Sequence, residues 1–141
     1  MLQYSVKLSR DTNGTILVDF PDVLEAHTFG ADREEALARA VAALETALMG
    51  YMESQRAVPL PSRTKRGILV TLPVSTEAKL SLYSSMRAAG LRNSDLAKRL
   101  NRRLTEITRL LDLRYTSPLE ELETAFHALG KRLSVQISDA A

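Results

Sequence analysis

The chain contains no cysteine and no tryptophan, and only two of its 141 residues are histidine. Without cysteine there is no disulfide scaffold, no thiolate-bound zinc or iron–sulfur site and no thiol nucleophile. The lack also fits a cytoplasmic protein. Long apolar runs are missing too. A bilayer span needs about 18 consecutive apolar residues, and the most apolar stretch, residues 36–52, is interrupted by Arg39 and Glu45. The opening MLQYSVKLSR has neither the basic start nor the apolar core of a secretory signal, so no membrane association is expected. There is no His-x-x-x-His pair, no Gly-rich phosphate loop and no G-x-S-x-G elbow. His27 and His127 therefore read as structural residues, and neither a cofactor nor a catalytic site is expected.

What is present is ordinary for a globular chain. Apolar residues make up 45% and charged residues 26%, which suits one domain or two small ones. Charge is spread unevenly. Residues 1–62 hold 5 Lys/Arg against 9 Asp/Glu, a net of −4, whereas residues 63–141 hold 14 against 8, a net of +6. Residues 86–115 alone hold 8 basic and 3 acidic side chains, a net of +5. One reading is two modules, an acidic one facing a basic protein and a basic one facing nucleic-acid phosphates. Solvated faces of opposite sign account for the same numbers.

The first half reads as β-β-β-α-β. Leu2, Tyr4, Val6 and Leu8 alternate with polar residues, a half-buried strand. Asn13-Gly14 marks a hairpin turn into residues 15–20, and residues 26–29 suit a short third strand. Asp32 caps a helix over about 33–55, with Glu35 three residues on. Its apolar face is Leu37, Val41, Leu44, Leu48 and Tyr51, flanked by alanines. Residues 57–67 form a loop, and ILVTL up to Pro73 forms a strand. This is a small α+β domain over residues 1–73, with an open sheet face or edge for a partner. Asp11, Asp19, Asp22, Glu25 and Asp32 gather loosely around the hairpin. Only Asp19 lies within a strand; the others stand at turns or caps, where Asp bonds locally, so a nuclease-type Mg²⁺ site is not expected.

Residues 74–141 read as helices. Ser75 or Thr76 caps residues 76–89, and Gly90 stops that helix. Ser94 caps a short helix anchored by Leu96, Ala97 and Leu100; a second, over 104–111, is anchored by Leu104, Ile107 and Leu111. Ser117-Pro118 opens a helix whose stripe is Leu119, Leu122, Phe126 and Leu129, and residues 133–137 suit a closing strand. If the chain bends near Asn101, residues 94–111 form a helix-turn-helix. Arg103, Thr105, Glu106, Thr108 and Arg109 are then available to the major groove. Lys98, Arg99, Arg102 and Arg114 suit phosphates, and Ser94 belongs to the same face. Two alternatives stay open. The spacing of residues 97, 100, 104, 107 and 111 also fits one unbroken helix. Residues 67–100 also fit a ribbon-helix-helix, although ILVTLP offers no base-reading side chain.

The stretch YSVKLSRDTNGTILVDFPDV, then HTFGADREEALARAVAALETAL and VPLPS, resembles the HicB antitoxin family. The shared features are the opening hairpin, the FPD after its second strand, the T-x-G before the helix cap, the E-E-A-L start and the P-L-P-S exit. Val23-Leu24-Glu25-Ala26 departs from the Pro-Gly-type turn of many relatives. LAKRLNRRLTEITRLLDLRYTSPLEELETAFHALGKRLSV resembles the Cro/repressor-type helix-turn-helix of one HicB subgroup. The resemblance implies an N-terminal domain like a degenerate ribonuclease-H fold that covers HicA, a basic mRNA-cleaving toxin. It also implies a C-terminal module that binds operator double-stranded DNA as a homodimer or higher homo-oligomer and represses its own operon. Asp11, Asp19, Asp22 and Glu25 are then the expected toxin-facing residues. A stand-alone repressor without a toxin partner is the competing expectation.

Overall fold

The structure, a computed structural model, describes residues 1–64 and 66–140. The alternation at the start becomes β1 (Gln3–Arg10), which buries Tyr4 and Val6 on one face. The chain returns as β2 (Ile16–Asp19) through a turn in which the Gly14 N–H donates to the Asp11 carbonyl at 3.0 Å. Gly14 sits there at φ +86°, a conformation open to glycine. β3 (His27–Gly30) pairs with β2, and β4 (Ile68–Thr71) pairs with β1. The sheet order is β3-β2-β1-β4, antiparallel throughout. The β-β-β-α-β order expected from the pattern is observed, in an α+β chain. Because β4 is bonded along β1, it is not a free ribbon, and the ribbon-helix-helix alternative falls.

α1 (Arg33–Glu53) crosses one face of this sheet. The Asp32 carboxylate accepts the Glu35 N–H at 2.9 Å and caps it. Its buried stripe is Ala36, Ala40, Leu44, Leu48 and Met52, while Leu37, Val41 and Tyr51 are half-buried. The buried face is thus rotated from the one expected toward the alanines. The cause is close approach: a Cβ on Gly30 would stand 2.3 Å from the Ala36 nitrogen, so only small side chains fit between β3 and α1.

Two tethers shape the loops of this half. After Phe20 the chain makes two tight turns, Val23 N–H to Phe20 carbonyl at 3.1 Å and Ala26 N–H to Val23 carbonyl at 2.9 Å. They bring Val23 and Ala26 into the core. The Asp22 carboxylate accepts the Ser62 N–H at 2.9 Å and the Ser62 hydroxyl at 2.6 Å. These bonds hold its carboxyl below the usual carboxylate range. The Tyr4 hydroxyl donates to the Pro59 carbonyl at 2.8 Å; burial, aided by Asp22, pushes its pKa up to about 12.

The chain divides into two compact units, Met1–Glu77 and Ala78–Ala141, and the division falls within α2 (Val74–Ala88). That helix starts ahead of the expected cap. Thr76 is buried instead, and its hydroxyl donates to the Glu45 carboxylate. The second unit continues with α3 (Asn93–Leu100), α4 (Leu104–Leu110) and α5 (Leu119–Ala128). Arg92, not Ser94, stands at the α3 cap position, where its N–H is held by the Asp95 carboxylate at 2.8 Å. Ser94 lies in the first turn. Asn101 adopts φ +52° and ψ +48°, which leaves helical space and separates α3 from α4. The Arg102 N–H then reaches back to the Ala97 carbonyl at 2.9 Å and closes α3. A single rod over 94–111 is excluded. Leu122 and Phe126 of the α5 stripe are buried, whereas Leu119 is 49% exposed. The expected strand 133–137 does not form: residues 131–140 carry no regular secondary structure. Among its described residues the second unit has no strand to pair with.

Two outcomes test these local arguments. A side chain unsuited to the left-handed region costs about 1 kcal/mol, so Asn101→Ala lowers the unfolding free energy by that amount. Asn101→Gly leaves it nearly unchanged, both read by urea titration. Asp22 has a folded pKa below its unfolded value of 3.8. The stability it lends is complete above that value and disappears as pH falls through the lower folded one. Urea midpoints measured from about pH 5 to about pH 2 therefore fall less steeply in Asp22→Asn than in the parent chain.

Candidate functional site

α3 and α4 bury one face each. Leu96 and Ala97 of α3 and Ile107 and Leu110 of α4 are inside, joined by Leu111. The nine side chains expected at DNA, namely Ser94, Lys98, Arg102, Arg103, Thr105, Glu106, Thr108, Arg109 and Arg114, are all exposed. Leu104 departs from expectation. It opens α4 at 52% exposure instead of anchoring it.

The basic side chains are not equally available. The Arg114 guanidinium pairs with the Asp112 carboxylate at 2.9 and 3.1 Å, which holds that carboxyl below its usual range. Arg102 lies 3.8 Å from Glu106, and Arg99 donates to the Ala128 carbonyl at 3.3 Å. Arg109 stacks over the Tyr115 ring at 5.6 Å, with its guanidinium exposed. The Thr108 hydroxyl donates to the Leu104 carbonyl at 3.0 Å. Lys98 and Arg103 make no side-chain hydrogen bond or ion pair among the described residues. Exposed pairs of this kind are worth about 0–1 kcal/mol, so a phosphate can displace them.

What fixes α4 in place was not foreseen. Lys79 of α2 is 1% exposed, and its ammonium donates to the carbonyls of Arg109, Asp112 and Tyr115 at 3.2, 2.7 and 2.6 Å. Burial pushes its pKa below the usual lysine range, against the pull of Asp112 and Glu121. The ammonium thus adds a donor to carbonyls at the end of α4 and in the turns after it; those of Arg109 and Asp112 also accept the Asp112 and Tyr115 N–H groups, each at 3.1 Å. The available signal was a lysine at helical spacing with Tyr83 and Met86 on an otherwise apolar stripe.

The acidic set does not come together. Among the described residues no three His, Asp or Glu side chains could hold a metal ion. The Asp11 carboxylate accepts the Thr12 N–H at 2.7 Å within the hairpin turn. Asp22 is tied to Ser62. Glu25 accepts the Tyr51 hydroxyl at 2.7 Å, which holds the Glu25 carboxyl down and pushes the Tyr51 hydroxyl up. Asp19 differs. It lies on the sheet face opposite Tyr4 and Val18, in register with Lys7 on β1 and His27 on β3, and all three are exposed. Beside it Leu17, Thr28 and Phe29 line a shallow depression. Arg39 reaches the rim, 5.7 Å from the Phe29 ring and 3.2 Å from its carbonyl. This open face is the surface of the first unit that α1 leaves free.

Among the described residues no helix is long and apolar enough to cross a membrane. The family model for the "HicB_like antitoxin of bacterial toxin-antitoxin system" matches residues 3–81. Antitoxin HicB 2 of Photorhabdus laumondii is 40% identical over 134 residues, 95% of this chain and 95% of its own. Antitoxin HicB 1 of the same organism is 33% identical, covering 96% of this chain and 87% of its own. Antitoxin HicB of Escherichia coli K12 is 33% identical, covering 95% and 98%. These relatives are named antitoxins, a non-enzymatic role. The chain belongs to the HicB-like antitoxin family of bacterial toxin–antitoxin systems.

Proposed function

We propose that the chain acts in the cytoplasm, blocks a basic mRNA-cleaving toxin of the HicA type through residues 1–73, and represses its own operon through residues 74–141. The second activity uses α3 and α4 on operator DNA, as a homodimer or higher homo-oligomer. The observation that carries this reading is the left-handed break at Asn101. It leaves α4 short, with Ile107 and Leu110 turned in and Thr105, Thr108 and Arg109 turned out. Lys98, Arg103 and Arg109 supply the readiest positive charge, and Arg102 and Arg114 follow once their carboxylate partners are displaced. A two-fold dimer would read inverted half-sites about 34 Å apart.

For the toxin, the open face around Asp19 is the better surface. Asp11, Asp22 and Glu25 already serve the fold, while Asp19 makes no side-chain bond among the described residues. The net charge of −4 over residues 1–62 suits a partner whose substrate is RNA, because carboxylates can take the place of phosphates.

Asp19→Lys should weaken toxin binding by about tenfold in calorimetry and leave circular dichroism and melting unchanged. Reversing Asp22 does not serve the purpose, because it breaks the Ser62 tether. Unaltered affinity in Asp19→Lys moves the toxin surface elsewhere. Operator binding with no toxin affinity in the parent chain would mark a stand-alone repressor. Arg109→Ala should cost about 1–3 kcal/mol on operator DNA and relax one base preference if it contacts a base edge. An equal loss on random duplex assigns Arg109 to a phosphate.

A further inference from the structure

Tyr115 is an aromatic residue left outside the core. It is 51% exposed, although Leu111 and Leu113 just before it are buried. Its ring lies against Arg109 of α4, with the guanidinium carbon 5.6 Å from the ring centre. The turn that carries the ring is tightly built. The Asp112 N–H donates to the Arg109 carbonyl and the Tyr115 N–H to the Asp112 carbonyl, each at 3.1 Å. The Asp112 carboxylate accepts the Arg114 N–H at 2.9 Å. The Lys79 ammonium then bonds the Arg109 and Tyr115 carbonyls at 3.2 and 2.6 Å. One buried donor thus holds the backbones of both members of the stacked pair. The approach of ring to guanidinium is set by that backbone as well as by the two side chains.

We propose that Tyr115 is a positioning residue for Arg109, and that Arg109 so held reads the edge of one guanine in duplex DNA. The proposal rests on the reading of α3 and α4 as the DNA-binding pair. Guanine offers two acceptors, O6 and N7, to the arginine fork, and both bonds form only when the fork lies in line with the base edge. A free arginine samples many rotamers and loses that freedom on docking. A ring fixed beside the guanidinium removes part of the loss before DNA arrives. Phosphates make a weaker demand, because they fix register and carry no sequence information. Lys98 and Arg103, which make no side-chain hydrogen bond or ion pair among the described residues, suit them as they stand. Among the described residues of α3, the turn and α4, Arg109 is the only cation with an aromatic support. That difference singles it out as the base-reading one.

The test uses the full chain and fluorescence anisotropy on two labelled duplexes. One covers the region upstream of its own gene; the other has the same length and composition in scrambled order. Tyr115→Leu keeps apolar bulk and removes the aromatic face. It should weaken binding to the upstream duplex by about three- to tenfold, with binding to the scrambled duplex and the melting temperature unchanged. Tyr115→Phe keeps the face and should bind as the parent does. Because Tyr115 acts through Arg109, adding Tyr115→Leu to Arg109→Ala should weaken binding no further. Both single variants should lose preference at the same guanine. A guanine analogue lacking N7 at that position should weaken the parent chain and leave Arg109→Ala unaffected. Losses that multiply in the double variant, or a loss in Tyr115→Phe, would mean that Tyr115 touches DNA by itself, and they overturn the proposal. So do equal losses on both duplexes, or parent-like binding by Tyr115→Leu. In each of those cases the parent still selects the upstream duplex, and only the positioning role fails. A parent chain that does not tell the two duplexes apart overturns the DNA reading and this proposal together.

Discussion

A buried ammonium organises the second half of this molecule. Seven residues of helix cannot stand alone in water, and the last carbonyls of α4 have no partner within it. Lys79 supplies one partner to three carbonyls, on α4 itself and on the two turns beyond it. Each such charge-assisted bond is worth about 1.5–3 kcal/mol, and a buried charge without them is costly. The position of α2 and the end of α4 are therefore one variable. Asn101 sets the other end of α4 by leaving helical space. Between these two points α4 has little freedom, and its outward side chains inherit that rigidity.

Electrostatics divides along the same line. Five of the eleven Lys and Arg residues of the second unit lie exposed on α3, the turn and α4, and the ion pairs of Arg102 and of Arg114 beyond α4 are weak ones that a polyanion can displace. The one buried positive charge among the described residues, that of Lys79, is spent on backbone. In the first unit the reverse holds for carboxylates. Asp22 and Glu25 are consumed by Ser62 and Tyr51, holding loops against the sheet. Asp19 stays on the face that α1 does not cover. The acidic surplus of residues 1–62 is thus less concentrated on a partner-facing surface than the bare count suggests.

Much of the architecture was legible because it depends on neighbours in sequence. Period-2 alternation marks β1, Asn13-Gly14 the hairpin, Asp32 the start of α1, and Asn101 the break before α4. Each rests on backbone preferences that act within about four residues. The misreadings were of another kind. The α1 face followed the large side chains, yet Gly30 draws Ala36 and Ala40 to the sheet. The tail read as a strand, but a strand needs a ladder partner, and none lies among the described residues of its unit.

The run of residues alone decided where helices, strands and turns begin, how charge divides between the halves, and which family the chain resembles. Folding decided which of its charges are free. Asp22 meets a partner 40 positions away, Glu25 one 26 positions away, and Lys79 carbonyls 30 to 36 positions away. No local rule joins residues at such separations. They meet because burying apolar side chains leaves polar groups that must find hydrogen bonds wherever the packing puts them.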